Sequence, residues 1–282
     1  MKTTRSSDGT TIAYDTAGSG PRLVLVDGAL CTRRIGPGKG LARLLAEHFT
    51  VINYDRRGRG DSGDAVEYAI EREVEDLEAV IETAGGNTFV FGQSSGAVLA
   101  LHAAARLPQI TGLAVYEAPF IVDDTRAPTG PEYHEKVTEL LARGKRGPAV
   151  RLFLELVGLP AVLVAGMRLT PLWPRLKAVA NTLPYDSLIT VEHQQGQPLS
   201  PDRWAPVRQR TLVLCGGDSD AWMRNAMQAL ADTLPHATHR MLDGQTHNLR
   251  PKIVAPELVR FFRDVPVPGK AHRAADGRPA AI

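Results

Sequence analysis

Short apolar runs recur along the chain at Arg22–Val26, Thr50–Tyr54, Thr88–Phe91, Leu113–Tyr116 and Thr211–Cys215. Runs of this length, bounded by residues such as Pro21 and Gly28, predict buried strands. Between them lie helix-like stretches at Gly40–Glu47, Val66–Ala84, Ser95–Arg106 and Trp222–Leu234. Within the second, Val74, Leu77, Val80 and Ile81 fall on one stripe, the mark of an amphipathic helix. Buried strands alternating with helices predict an α/β fold, with a mostly parallel sheet covered on both faces. The start differs: Gly9–Asp15 alternates apolar and polar, as an antiparallel edge hairpin does. A last strand is expected near Thr238–Met241, before a helix ending at Phe261-Phe262.

The alternation stops after Tyr116. Residues 119–206 are rich in proline and carry further helical stretches, including Tyr133–Arg143 and Pro148–Val157, with Leu169–Pro174 breaking them. Connections between sheet strands are normally a few residues long. The excess is read as an inserted helical lid over the sheet's C-terminal edge. The expected division is therefore a core of 1–118 and 207–263, a lid of 119–206, and a disordered polar tail of 264–282.

The balance of charge adds little to this picture. Thirty-three basic and 31 acidic residues give a net charge of +2, too weak a field to suggest nucleic acid or an anionic membrane as partner. The N-terminus lacks the apolar core of a signal peptide, and no apolar run approaches a membrane span. Cys31 and Cys215 make at most one pair, so a reducing, cytoplasmic setting is expected.

Chemistry concentrates at Gly92-Gln93-Ser94-Ser95-Gly96, which follows one predicted strand and opens a helix. A strand turning at once into a helix brings backbone close to backbone, which favours the two flanking glycines. It also lifts the Ser94 hydroxyl to the sheet edge, at the positive end of the helix dipole. In this context a G-x-S-x-G motif predicts a nucleophile; in isolation it would read as a helix cap. His247 follows the last predicted strand, on a loop able to reach back to Ser94, and is the candidate base. The other histidines show no metal-ligand spacing with an acidic partner, so no metal is expected, and no cofactor is needed.

Together with Asp55-Arg56-Arg57-Gly58-Arg59-Gly60-Asp61-Ser62 after a strand and the strand-ending Asp27-Gly28, these motifs resemble the α/β-hydrolase superfamily. The resemblance covers roughly residues 10–118 and 207–263. It implies that the 55–62 segment is a structural turn, with no chemistry assigned to its arginines. It also implies an oxyanion hole from the amides of Gly28 or Ala29 and of Ser95. Asp27 would orient substrate or brace that loop.

Most of the superfamily places the acid of the triad after the strand that follows the lid, where Asp218 and Asp220 stand. A minority, including the fungal zearalenone lactonases, places it one strand earlier, where Glu117 stands. The chain is similar to those lactonases in Ser94-Ser95-Gly96-Ala97, Asp27-Gly28 and Glu117-Ala118-Pro119, though not in the lid. An idle buried carboxylate at Glu117 would be costly, whereas N-capping would explain either aspartate. Glu117 is therefore preferred and the two aspartates stay as alternatives.

The resulting expectation is a serine hydrolase that cleaves an ester or lactone of a hydrophobic small molecule. Leu30 and Trp173 are candidate substrate contacts, with Phe120 and Met167 as further wall residues; Trp204 and Trp222 are expected to pack, and Cys31 to be idle. The rival readings are a thioesterase, a carbon–carbon hydrolase or a tailoring enzyme on the same fold, and a ligand-binding protein without turnover.

Overall fold

The computed structural model describes residues 1–65 and 67–265. Eight strands form one sheet: β1 (Lys2–Arg5), β2 (Thr11–Ala17), β3 (Arg22–Val26), β4 (Thr50–Tyr54), β5 (Thr88–Gln93), β6 (Ile110–Tyr116), β7 (Thr211–Gly216) and β8 (Ala237–Leu242). Their order is β1-β2-β4-β3-β5-β6-β7-β8. The expected hairpin is present, but it is longer than the alternating pattern suggested. Its second strand pairs antiparallel with both β1 and β4, so β1 is the edge. All other pairings are parallel.

Successive strand residues point to opposite faces, and each face builds its own core. Leu23, Leu25, Val51, Phe89 and Phe91 pack with α1 (Gly38–Leu45) and with a C-terminal helix at Pro251–Arg263. Val24, Val26, Ile52 and Val90 pack on the other side with α2 (Ile70–Thr83), α3 (Ser95–Ala104) and a helix at Ala221–Thr233. The stripe predicted on α2 is the buried one: Val74, Leu77, Val80 and Ile81 are all within the core. Each such side chain contributes roughly 1.5–3 kcal/mol on leaving water.

Between β6 and β7 the chain forms α4 (Pro131–Ala142), α5 (Arg146–Leu156), α6 (Ala161–Met167), α7 (Leu172–Ala178), α8 (Leu183–Thr190) and α9 (Pro201–Trp204). The helices at Ala221–Thr233 and Pro251–Arg263 are then α10 and α11. The inserted helices share an apolar cluster of their own, including Val137, Val150, Val164, Trp173, Leu176 and Leu183, joined by Leu30 from the sheet side.

Two expectations are refined. The break at Leu169–Pro174 is present but shorter: Leu169–Pro171 lie between α6 and α7, whereas Leu172-Trp173-Pro174 already open α7, because a proline in the first turn lacks only an N–H that has no intrahelical partner there. Asp264 and Val265, assigned to the tail, instead close α11, and Val265 is buried in the core. The rest of that tail lies outside the described residues. No described helix is long and apolar enough to cross a membrane.

Candidate active site

Parallel strands β3, β5, β6 and β7 end on the same edge of the sheet, and that edge gathers the chemistry. Ser94 directly follows β5 and Glu117 directly follows β6. The register pairs Gln93 with Tyr116, which sets the two side by side. The Ser94 amide donates to the Tyr116 carbonyl at 2.9 Å, and the Glu117 amide donates to Leu214 at 3.2 Å. Among the described residues, the non-glycine positions with positive φ are Leu30 (59°), Ser94 (54°) and Glu117 (48°). All three follow parallel strands at this edge. Such conformations are costly and persist only where surroundings impose them.

Glycines make the turn at Ser94 possible. A Cβ on Gly92 would strike the first turn of α3, and one on Gly96 would strike the carbonyls that end β3. A Cβ on Gly28 would lie 2.9 Å from the Ser94 Cβ, so the β3 loop passes directly beside the serine. The amides of Gly28, Ala29 and Ser95 donate no hydrogen bond within the described residues.

His247 is held over this edge by backbone stitching. Asp218 donates its amide to Gln245 at 2.9 Å, Gly217 donates to Leu242 at 2.8 Å, and the Tyr116 hydroxyl donates to Thr246 at 2.6 Å. The imidazole then bridges two groups: Nδ1 lies 2.9 Å from Glu117 Oε2, and Nε2 lies 3.2 Å from Ser94 Oγ. A carboxylate only accepts, so the proton of the neutral ring belongs on Nδ1 and Nε2 is free to accept from the serine. His247 is 45% exposed while Glu117 is fully buried.

Glu117 is well satisfied. Its Oε1 accepts from the Gly216 amide at 2.7 Å and from the Ser219 hydroxyl at 2.5 Å. Burial alone would raise its pKa, but the bonds from His247, Ser219 and Gly216 outweigh that and hold it below the usual carboxylate range. Asp218 and Asp220 point elsewhere. Both are exposed; Asp220 accepts from the Trp222 indole at 3.3 Å and makes no side-chain cap on α10. The capping proposed for these aspartates is thus absent from Asp220.

The remaining candidates are dispersed. Leu30 and Trp173 are both buried in the apolar cluster of the inserted segment. Trp173 also lines an open cavity of about 670 Å³ whose wall includes Lys145, Arg146, Arg151, Arg168 and Lys177, but none of Ser94, Glu117 and His247. Met167 packs against the same cluster. Phe120 and Trp204 lie in the main core, stacked at 6.0 Å, and Trp222 carries Arg126 over its ring at 4.3 Å. Burial, with the charge of Asp27 next in weight, raises the Cys31 thiol above its ordinary pKa, which disfavours the thiolate. Asp27 braces its loop: Gln93 donates to it at 3.0 Å, and burial lifts its pKa to about 7 against the pull of Arg59, Gly38 and Arg56.

Two groupings had no signal in the spacing of residues. His102, Glu192 and His193 meet within 4.8 Å, although Glu192 is also paired with Arg203. Below the Ser94 turn, Arg56 and Arg59 converge on Asp186 of α8 at 2.9 and 2.8 Å. The 55–62 segment is the tight turn expected, since Asp55 accepts from the Asp61 amide at 2.9 Å and its carbonyl accepts from Ser62 at 2.6 Å. Its arginines nevertheless reach well beyond it.

The sequence model of the alpha/beta hydrolase family matches residues 32–257. The chain belongs to that family and is a hydrolase. It is similar to a solved alpha/beta hydrolase from Sphaerobacter thermophilus, with 53% identity, 93% of this chain and 100% of that one covered, and a TM-score of 0.85. It also resembles the enol-lactonase from Burkholderia xenovorans in fold, at 19% identity over 93% of this chain and 100% of that one, with a TM-score of 0.70. An uncharacterised hydrolase of Bacillus subtilis, YraK, is 32% identical over 123 residues, which are 40% of this chain and 43% of that protein.

Proposed function

We propose that the protein cleaves an ester or lactone of a hydrophobic small molecule through an acyl-enzyme on Ser94. The observation that carries this reading is the continuous path from Ser94 Oγ through His247 to Glu117, at 3.2 and 2.9 Å. Ser94 attacks the carbonyl carbon while His247 Nε2 takes the hydroxyl proton. Glu117, ionised and buried, favours the imidazolium that forms and keeps the ring in the useful tautomer. The carbonyl oxygen gains negative charge, which the otherwise unbonded amides of Gly28 or Ala29 and of Ser95 stabilise. The imidazolium returns its proton to the leaving alkoxide. A water then repeats the sequence, with His247 as base, to release the acid.

The helices of residues 119–206 act in this reading as a lid. Their apolar interior and the exposed Val162, Leu163 and Leu169 support a hydrophobic substrate rather than a peptide or charged metabolite. The likeness in fold to an enol-lactonase supports a lactone or ester bond. Turnover of p-nitrophenyl butyrate tests the proposal. Wild type is expected to show saturable hydrolysis that Ser94→Ala abolishes; equal rates in both would remove Ser94 from the chemistry.

A further inference from the structure

Among the buried charges that the hydrolytic reading leaves unused, one group lies directly below the Ser94 turn. Arg56, Arg59, Glu73 and Asp186 are all nearly inaccessible to solvent, and Asp186 comes from α8 of the inserted segment. Arg56 forks onto Glu73 with two contacts of 2.6 Å. Arg59 Nη2 meets both oxygens of Asp186 at 2.8 Å. Replacing such a cluster with apolar side chains is often neutral or stabilising, so stability alone does not account for it.

What an apolar cluster would lack is the reach of the remaining donors. Arg59 Nη1 donates to the Gly28 carbonyl at 2.6 Å. Arg56 Nη1 lies 3.4 Å from the Asp27 carbonyl, 3.3 Å from Ser95 Oγ and 2.9 Å from Asp186. The Ser95 hydroxyl itself donates to Asp186 at 2.7 Å. A peptide unit is planar and trans, so its carbonyl and the next amide point in opposite directions. Fixing the Gly28 carbonyl therefore aims the Ala29 amide away from the cluster. Fixing the Asp27 carbonyl does the same for the Gly28 amide. The third donor residue, Ser95, is held through its side chain. The loop needs such a grip, because Leu30 sits at a φ of 59° and would relax if released.

We propose that Arg56, Arg59 and Asp186 are positioning residues for the oxyanion hole, and that Asp186 makes its geometry depend on α8 being docked. The claim rests on the Ser94 reading. The fixed charges press the two carbonyls into place from below, while Leu30 packs into the inserted segment's apolar cluster. A displaced α8 would leave Arg59 without its carboxylate and free to swing off the Gly28 carbonyl, while Arg56, still forked onto Glu73, would lose one of its partners.

Asp186→Asn and Arg59→Lys test this in the full-length protein with p-nitrophenyl butyrate and an alkyl trifluoromethyl ketone, whose adduct places an oxyanion in the hole. Misaligned donors are expected to lower kcat about 10- to 100-fold. The ketone should lose affinity by the same factor, while KM and the midpoints of the pH profile stay put. Lysine keeps the charge at position 59 but lacks the planar fork with which Arg59 spans Asp186 and the Gly28 carbonyl, so it should not rescue. If Asp186→Asn does not fold, Arg59→Lys carries the test. Unchanged kcat and ketone affinity in a folded variant, with only a lower Tm, would overturn the proposal while leaving the Ser94 reading intact. No ester turnover by wild type would bring down both.

Discussion

Glu117 and Asp186 are both buried carboxylates at the same sheet edge, 0% and 4% exposed, yet their surroundings differ in one decisive respect. Glu117 faces a partner that can change its charge, and that partner, His247, is open to solvent. Asp186 faces two guanidiniums that stay protonated at any working pH. Burial raises the pKa of Asp186, and Arg59 and Arg56 reverse that and keep it ionised. In the proposed mechanism one carboxylate therefore serves a proton that moves, and the other a geometry that does not.

Variants that break the mobile side should cost the most. Alanine at Ser94 or His247 is expected to lower kcat by about 10⁶-fold, as for a nucleophile and base acting as one unit. Glu117→Gln follows, with a loss of about 10⁴-fold, because an amide opposite Nδ1 can favour the wrong tautomer and cannot stabilise the imidazolium. Both are read from p-nitrophenyl butyrate kinetics. Asp186→Asn and Arg59→Lys come next, with the smaller losses given above.

Low pH acts on Glu117 as well. The folded pKa of Glu117 lies below its ordinary value of 4.5, so its ionisation adds stability above that value and loses it as pH falls through the folded value. Wild type should therefore lose Tm below about pH 4.5 more steeply than Glu117→Gln. Parallel slopes would mean that Glu117 is not held ionised. The smallest effect belongs to Asp220→Asn, which should leave kcat within about 2-fold, as at other surface positions.

How far the sequence reveals this arrangement follows from how local each feature is. Apolar runs such as Leu23–Val26 identify the strands, and Gly92 and Gly96 identify the turn at Ser94, because the causes lie within a few residues. The choice between Glu117 and Asp218 or Asp220 is less local. It turns on β6 lying beside β5, which places Glu117 next to Ser94, while the aspartates follow a strand one position further out. Asp186 has no local signal at all. Its neighbours on α8 read as an ordinary helix, and its partners stand 127 and 130 residues away. Arg56 and Arg59 fit a turn motif so well that nothing along the chain shows where they reach. Trp173 shows the limit of a local signal in another way: an aromatic residue flanked by prolines looks like a pocket wall, and it packs within the inserted helices and lines the open cavity there, apart from Ser94, Glu117 and His247.

The central claim is that Ser94 is an activated nucleophile held by His247 and Glu117. Intact-mass analysis after brief exposure to a fluorophosphonate measures that activation without knowledge of the substrate. Wild type should gain one adduct, on the peptide containing Ser94, and Glu117→Gln should gain it far more slowly. An unlabelled wild type, or an adduct formed equally fast in Glu117→Gln, would contradict the account.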